Sequence, residues 1–262
     1  MSLQYNNPAG GNAVVLPLGF VALCVVSFIG SVAATIYFCR SMCCAMEMPG
    51  GWTMSMMWMR MNGQTWFSSA ASFLLMWLAM MVAMMLPSAL PTFLKTKRAP
   101  AALSAMAIGY FGIWTIFGLG IYALGVAFAA AAMRWENFGR LVPALSGASL
   151  IAVGAFQLTR WKITGLLRCR STFGCASACP ERETNFRLGC KQGAACCYCC
   201  AGPTIILIVL GMMDPFAIVV VAAIIAAEKL SPRPEMITRL VGISAIFAGV
   251  AYVFEIFTRV HG

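Results

Sequence analysis

Charged residues and histidine are the residue types that this sequence has least of. Only 10% of its 262 residues are charged and 61% are hydrophobic, with a mean hydropathy of +0.85. Soluble domains carry roughly 25% charged residues, so the composition excludes an ordinary soluble protein. The single histidine is His261, which excludes haem with a histidine ligand in the bundle, His-carboxylate iron sites and histidine-dependent triads. A P-loop or Rossmann glycine pattern is also missing.

Long apolar runs make up most of the chain. Several exceed the roughly 20 residues that a helix needs to cross a bilayer core, and none alternates as a membrane β-strand does. The pattern predicts an all-α, polytopic transmembrane helix bundle. We expect about seven spans of about this length, or about six if the late apolar run 216–227 is re-entrant. The whole chain, 1–262, would form one integral membrane domain.

Lysine and arginine are concentrated in loops on the same side as the N-terminus. The positive-inside rule makes that side cytoplasmic, and it accounts for the net charge of +10 without a nucleic-acid partner. Residues 40–65 would then be an extracytoplasmic Met- and Cys-rich loop, and residues 160–191 a cytoplasmic, basic, Cys-containing loop. The basic side chains of the second loop, Lys162 among them, are expected to contact lipid headgroups.

Sulfur is unusually abundant, with 12 cysteines and 19 methionines. On a helix, residues three or four apart are neighbours, about 5–6 Å apart at Cβ, so closely spaced thiols can share one ion. Thiolates and thioethers select Cu(I), zinc or iron–sulfur centres over hard cations. In the loop 160–191, Cys169 and Cys190 are also candidate ligands. The alternative for this loop is reduced thiols without a metal. Four candidate ligands fall within one short run: Cys196, Cys197, Cys199 and Cys200.

Methionines form a stripe on the second apolar run and crowd the loop before it. The stripe is either a flexible filler of a helix interface or a ladder of thioethers for Cu(I). In the loop, Cys43 and Cys44 are candidate ligands among several methionines; the alternative there is an interfacial helix anchored by tryptophans. Zinc is the less expected metal, because Cys169, Cys175 and Cys179 in the loop 160–191 do not follow C-x2-C pairing. The stripe consists of Met76, Met80, Met81, Met84 and Met85.

Five motifs follow one another along the chain: Met76–Ser88, Lys162–Arg170, Cys196–Cys200, Gly211–Met213 and Glu228–Lys229. In this order they resemble a bacterial family described as predicted metal-binding integral membrane proteins, a domain of unknown function. The resemblance covers about residues 66–249 and implies metal binding in the bacterial inner (cytoplasmic) membrane. The chain departs from the family pattern at Gly165, where a cysteine is common, and at Tyr198 and Ala201, which replace glycine and tryptophan.

The leading functional prediction is copper transport, delivery or storage. Cu(I) would be captured by the outer methionines, guided along the stripe and held by the thiolates, which bind more tightly than thioethers. The alternatives are a structural or assembly subunit of a larger metal-containing membrane complex, and a membrane thiol–disulfide oxidoreductase. An enzyme is the less expected outcome. Expected partners are the lipid bilayer, other membrane subunits or a copper chaperone.

Overall fold

The fold is known from a computed structural model, which describes residues 3–5, 14–16, 18–41, 45–49, 51–60, 63–95, 99–175 and 184–261. The predicted all-α class is confirmed, since the described residues form eight helices and only two small strand pairs. Cys43 and Cys44, two of the predicted ligands, lie outside the described residues. The helices are α1 Leu18–Ser41, α2 Trp66–Lys95, α3 Pro100–Arg134, α4 Glu136–Gln157, α5 Arg160–Cys175, α6 Asn185–Leu210, α7 Pro215–Leu230 and α8 Pro234–His261.

Two antiparallel strand pairs precede α2. β1 (Leu3–Tyr5) pairs with β2 (Val14–Leu16), and β3 (Ala45–Met48) pairs with β4 (Trp52–Ser55). A short 3-10 helix, Met56–Trp58, follows β4 directly. The predicted extracytoplasmic loop therefore contains an ordered hairpin rather than an interfacial α-helix.

Six described helices, α1, α2, α3, α4, α6 and α8, are long and apolar enough to cross a membrane. Helix α7 has 16 residues and is about 24 Å long, shorter than a hydrocarbon core of about 30 Å. A seventh span was expected because α7 is as apolar as a span. Asp214 caps its first turn and lies near Cys39, at the end of α1, whereas Glu228 accepts a hydrogen bond from Gln157, at the end of α4. Since α1 and α4 end at opposite ends of the bundle, α7 runs from one end to the other although it is shorter than a span.

The segment 160–191, expected to connect two spans as a cytoplasmic loop, contains α5 and the first turns of α6. Helix α5 is polar on average, so the hydropathy of the sequence did not indicate a helix there. Its buried side chains, Lys162, Leu166 and Cys169, recur at the three- and four-residue spacing of one helix face. That face packs against α6.

Glycines allow two pairs of helices to approach closely. A Cβ at Gly154 of α4 would lie 2.6 Å from the carbonyl oxygen of Gly242 on α8. A Cβ at Gly193 of α6 would lie 2.7 Å from the carbonyl oxygen of Tyr110 on α3. Small residues at such crossings let backbones touch. The second crossing places the cysteine run of α6 beside Tyr110.

The β3–β4 hairpin is attached to α4 at a proline. Pro143 has no N–H, so the carbonyl of Gly139, four residues earlier, lacks its helical donor. Trp52 Nε1 donates to that carbonyl at 2.9 Å. The hairpin thus supplies the hydrogen bond that the helix cannot.

Candidate metal centre

Three thiols of α6 converge in the interior of the bundle. The Sγ atoms of Cys196, Cys199 and Cys200 all lie within 4.8 Å of one another. Cys200 Sγ is 3.9 Å from Cys196 Sγ and 3.6 Å from Cys199 Sγ. Each residue is at most 2% exposed. We call these three residues the thiol cluster, and its dimensions suit a single ion shared between sulfurs.

Sulfur from two further helices reaches the thiol cluster. Met85 Sδ of α2 lies 3.9 Å from Cys196 Sγ. The thiol of Cys169, on α5, is hydrogen-bonded to Cys196 and Cys199. The bond to Cys196 raises the pKa of the Cys169 thiol, and burial raises it further. Soft donors from α2, α5 and α6 therefore meet at one point.

A buried ammonium lies against the same sulfurs. Lys229 Nζ, on α7, is 2.9 Å from Cys196 Sγ, 3.6 Å from Met85 Sδ and 3.4 Å from Ser88 Oγ. The two ion pairs found among the described residues do not include Lys229. A buried cation needs a negative partner, and Cys196 is the nearest group that can become one.

Tyr110 adds a second donor to Cys196. Its hydroxyl donates to Cys196 Sγ at 2.8 Å, and the Tyr110 side chain is fully buried. Hydrogen bonds from charged and neutral donors favour a thiolate over a thiol. Cys196 is thus the thiol of the cluster best prepared to coordinate a cation.

A second buried charge pair fixes the backbone of the cluster. Lys162 Nζ pairs with Glu228 Oε2 at 2.9 Å, and Gln157 Nε2 donates to Glu228 Oε1 at 3.0 Å. Lys162 also donates to the carbonyl of Cys199. Pro203, four residues on, has no N–H to offer that carbonyl, so Lys162 replaces the missing helical donor. The expectation that Lys162 contacts lipid headgroups is wrong, because its exposed fraction is 0%.

The remaining predicted ligands in the described residues lie outside the thiol cluster. Cys197 is 9% exposed and lies outside the group of three convergent thiols. Cys190 is half-buried and packs against α3 beside Gly109. The rest of the methionine stripe is buried in the core with exposed fractions of 0–3%; its members are Met76, Met80, Met81 and Met84.

Two departures from the family pattern meet in space. The Tyr198 ring occupies the position that a side chain at residue 165 would need. Gly165, which has no side chain, leaves room for this ring. Neither Gly165 nor Tyr198 supplies a ligand to the thiol cluster.

Sequence reasoning missed the roles of Lys229 and Tyr110. The signal for Lys229 was present, since Glu228 and Lys229 follow a run of apolar residues that would bury them. For Tyr110 no local signal exists. Its contact with Cys196 depends on the glycine-mediated crossing of α3 and α6.

An all-α bundle in which soft donors from three helices surround a buried thiol cluster has the features of a protein that binds a soft metal ion. The comparison with protein families specifies this class further. A family model described as "Copper chaperone" matches residues 74–252, more than half of the chain, and the chain belongs to that family. The predicted relation to a metal-binding family is therefore confirmed as a copper-related one. No curated protein and no solved structure matches the chain.

Proposed function

We propose that this protein binds Cu(I) within the bacterial inner membrane and transports it toward, or delivers it on, the cytoplasmic side. The observation that carries the proposal is the meeting of Cys196, Cys199 and Cys200 with Met85 in a buried site. Family membership supports copper as the metal. The monovalent state is supported by the donors, since thiolate and thioether sulfur favour Cu(I) over hard cations.

The charges of the site also favour a monovalent ion. Two thiolates around Cu(I) carry one net negative charge, and Lys229 beside Cys196 supplies one positive charge. The second buried cation, Lys162, is already balanced by Glu228. A Cu(I) complex with two thiolates would therefore leave the interior neutral, which a buried site requires.

The methionine stripe offers a route to the thiol cluster. Met76, Met80 and Met84 follow one another at four-residue spacing, about 6 Å along the axis of α2. The neighbouring Met85 touches Cys196. Neutral thioethers hold the ion weakly, whereas thiolates hold it tightly, so the affinity rises along the route. Passage in this direction suits uptake or delivery.

Burial of the thiol cluster disfavours a thiol–disulfide oxidoreductase. Exchange requires direct attack of a thiolate on a sulfur of the substrate. The three cysteines are 0–2% exposed, and Lys229 and Tyr110 lie on Cys196. A copper ion is small enough to reach the cluster, whereas a protein disulfide is not.

Metal content of the purified protein tests the proposal. Protein prepared without added metal should contain copper, and the triple variant C196S/C199S/C200S should lose it. C197S is the matched control, because Cys197 belongs to the same run but not to the thiol cluster. Equal copper in the triple variant and the wild type would contradict the proposal.

A further inference from the structure

A small cavity lies between the N-terminal end of α2 and the 3-10 helix. Its volume is about 50 Å³, more than the roughly 10–15 Å³ needed to hold one water molecule. Three of its lining residues carry thioethers, Met56, Met57 and Met59, and three carry neutral polar groups, Gln64, Ser69 and Ser72.

The 3-10 helix is held firmly over this cavity. Ser55 accepts a hydrogen bond from the Met57 amide and caps the helix. The Trp58 ring lies 5.4 Å from the Phe73 ring and packs where Gly125 has no side chain. Tyr122 donates to Ser69 at 3.1 Å. The three methionines are therefore placed by anchors on both α2 and α3.

The chemistry of the lining selects a soft cation. The lining contains no carboxylate, so hard divalent ions lack the oxygen ligands that they require. Thioether sulfur binds Cu(I) and few other ions well. Neutral ligands leave the charge of the ion uncompensated, and this makes binding weaker than at the thiolates.

The cavity stands at one end of the methionine stripe. Phe73 lines it, and Met76 follows on the next turn of α2. From Ser72 to Met85 the helix rises about 20 Å, and the methionines between are 0–3% exposed. The other end of the stripe is in contact with the thiol cluster through Met85. One line of sulfur thus joins the cavity to Cys196.

We propose that Met56, Met57 and Met59 form a second, weaker Cu(I) site, from which the ion passes to the methionine stripe. The passage rests on the proposed function, whereas the site itself can be tested separately. It assigns the predicted capture by the outer methionines to three thioethers that the 3-10 helix places.

Counting bound Cu(I) in the full-length protein tests this site. The detergent-solubilised protein is loaded with Cu(I) under reducing conditions and then challenged with a weak and a strong chromophoric Cu(I) chelator. The wild type should hold one labile and one resistant ion. M56L/M57L/M59L should lose only the labile ion, and C196S/C199S/C200S only the resistant one.

M48L/M54L is the matched control. Met48 and Met54 belong to the β3–β4 hairpin just before the 3-10 helix. They are buried against Ala129 and Ala132 and do not line the cavity. This control should keep both ions. Absence of a labile ion in the wild type, its persistence in M56L/M57L/M59L or its equal loss in the control would overturn the second site. Absence of the resistant ion would instead overturn the proposed function.

Discussion

Lys229 brings a positive charge into direct contact with the sulfur of Cys196. Its neighbours Ser88 and Met85 are neutral, so the thiolate is the group that balances it. The same charge balances a Cu(I) ion held by two thiolates. Lys229 thus serves both the metal-free and the loaded site, without being a ligand itself.

Replacing Lys229 with leucine should weaken Cu(I) binding at least tenfold, equivalent to about 1.4 kcal/mol. The loaded site would then bury a net negative charge, which costs several kcal/mol. K229R retains the charge and should retain most of the affinity. Competition against a chromophoric Cu(I) chelator measures the difference; equal affinities of K229L and the wild type would contradict the role.

Lys162 should matter through the carbonyl of Cys199 as well as through Glu228. K162M leaves a buried carboxylate unpaired, at a cost of about 3–5 kcal/mol. K162M/E228Q removes both charges, yet it leaves the Cys199 carbonyl without a donor, at a cost of about 1–3 kcal/mol.

Adding P203A to K162M/E228Q should recover most of that second loss, because the introduced alanine supplies the N–H that Pro203 lacks. Thermal unfolding of the purified variants in detergent measures the recovery. Strictly additive effects of P203A and K162M/E228Q would show that Lys162 does not replace the helical donor.

At the scale of the helices, contacts within one helix could be predicted from the sequence, whereas contacts between helices could not. The spacing of Cys196, Cys199 and Cys200 along one helix predicts their proximity, since helix geometry is local. The arrival of Met85, Cys169 and Lys229 is a matter of which helices pack together, and periodicity along one helix does not contain that information. Helix α5 was hidden for a related reason: its average polarity reflects the exposed face and not the buried one.

The close crossing of α4 and α8 at Gly154 can be tested by substitution. G154A places a methyl group 2.6 Å from the Gly242 carbonyl oxygen, and backbone cannot move aside easily, so a loss of about 1–3 kcal/mol is expected. G120A is the control, because nothing lies within 4 Å of its Cβ position. In the helix interior this change should gain about 0.5–1 kcal/mol. Unfolding midpoints should therefore shift in opposite directions; a common shift would contradict the close crossing.

For the whole molecule, the direction of α7 decides on which side of the membrane the chain ends. Six crossings place both termini on the same side, whereas seven place them on opposite sides. Helix α8 runs antiparallel to α4, with Gly242 against Gly154 and Gly249 against Gly147, so α8 begins beside the end of α4. With the positive-inside assignment, the N-terminus is then cytoplasmic and α8 ends on the periplasmic side. Length alone did not reveal this, because α7 has only 16 residues.

A reporter fused to the N-terminus should be active on the cytoplasmic side, and one fused to the C-terminus on the periplasmic side. Activity of both reporters on the cytoplasmic side would contradict a crossing by α7. A fusion at Asp214, in the link between α6 and α7, should report the periplasmic side and serves as the internal control.

The central claim is that sulfur atoms from separate helices form one pocket for a monovalent copper ion. Copper K-edge X-ray absorption tests it most directly, on full-length protein that is loaded with Cu(I) and then freed of the labile ion by the weak chelator. We predict a Cu(I) edge and a coordination shell made of sulfur alone, lost in C196S/C199S/C200S and kept in C197S. A shell of nitrogen or oxygen ligands, or an unchanged sulfur shell in the triple variant, would contradict the account.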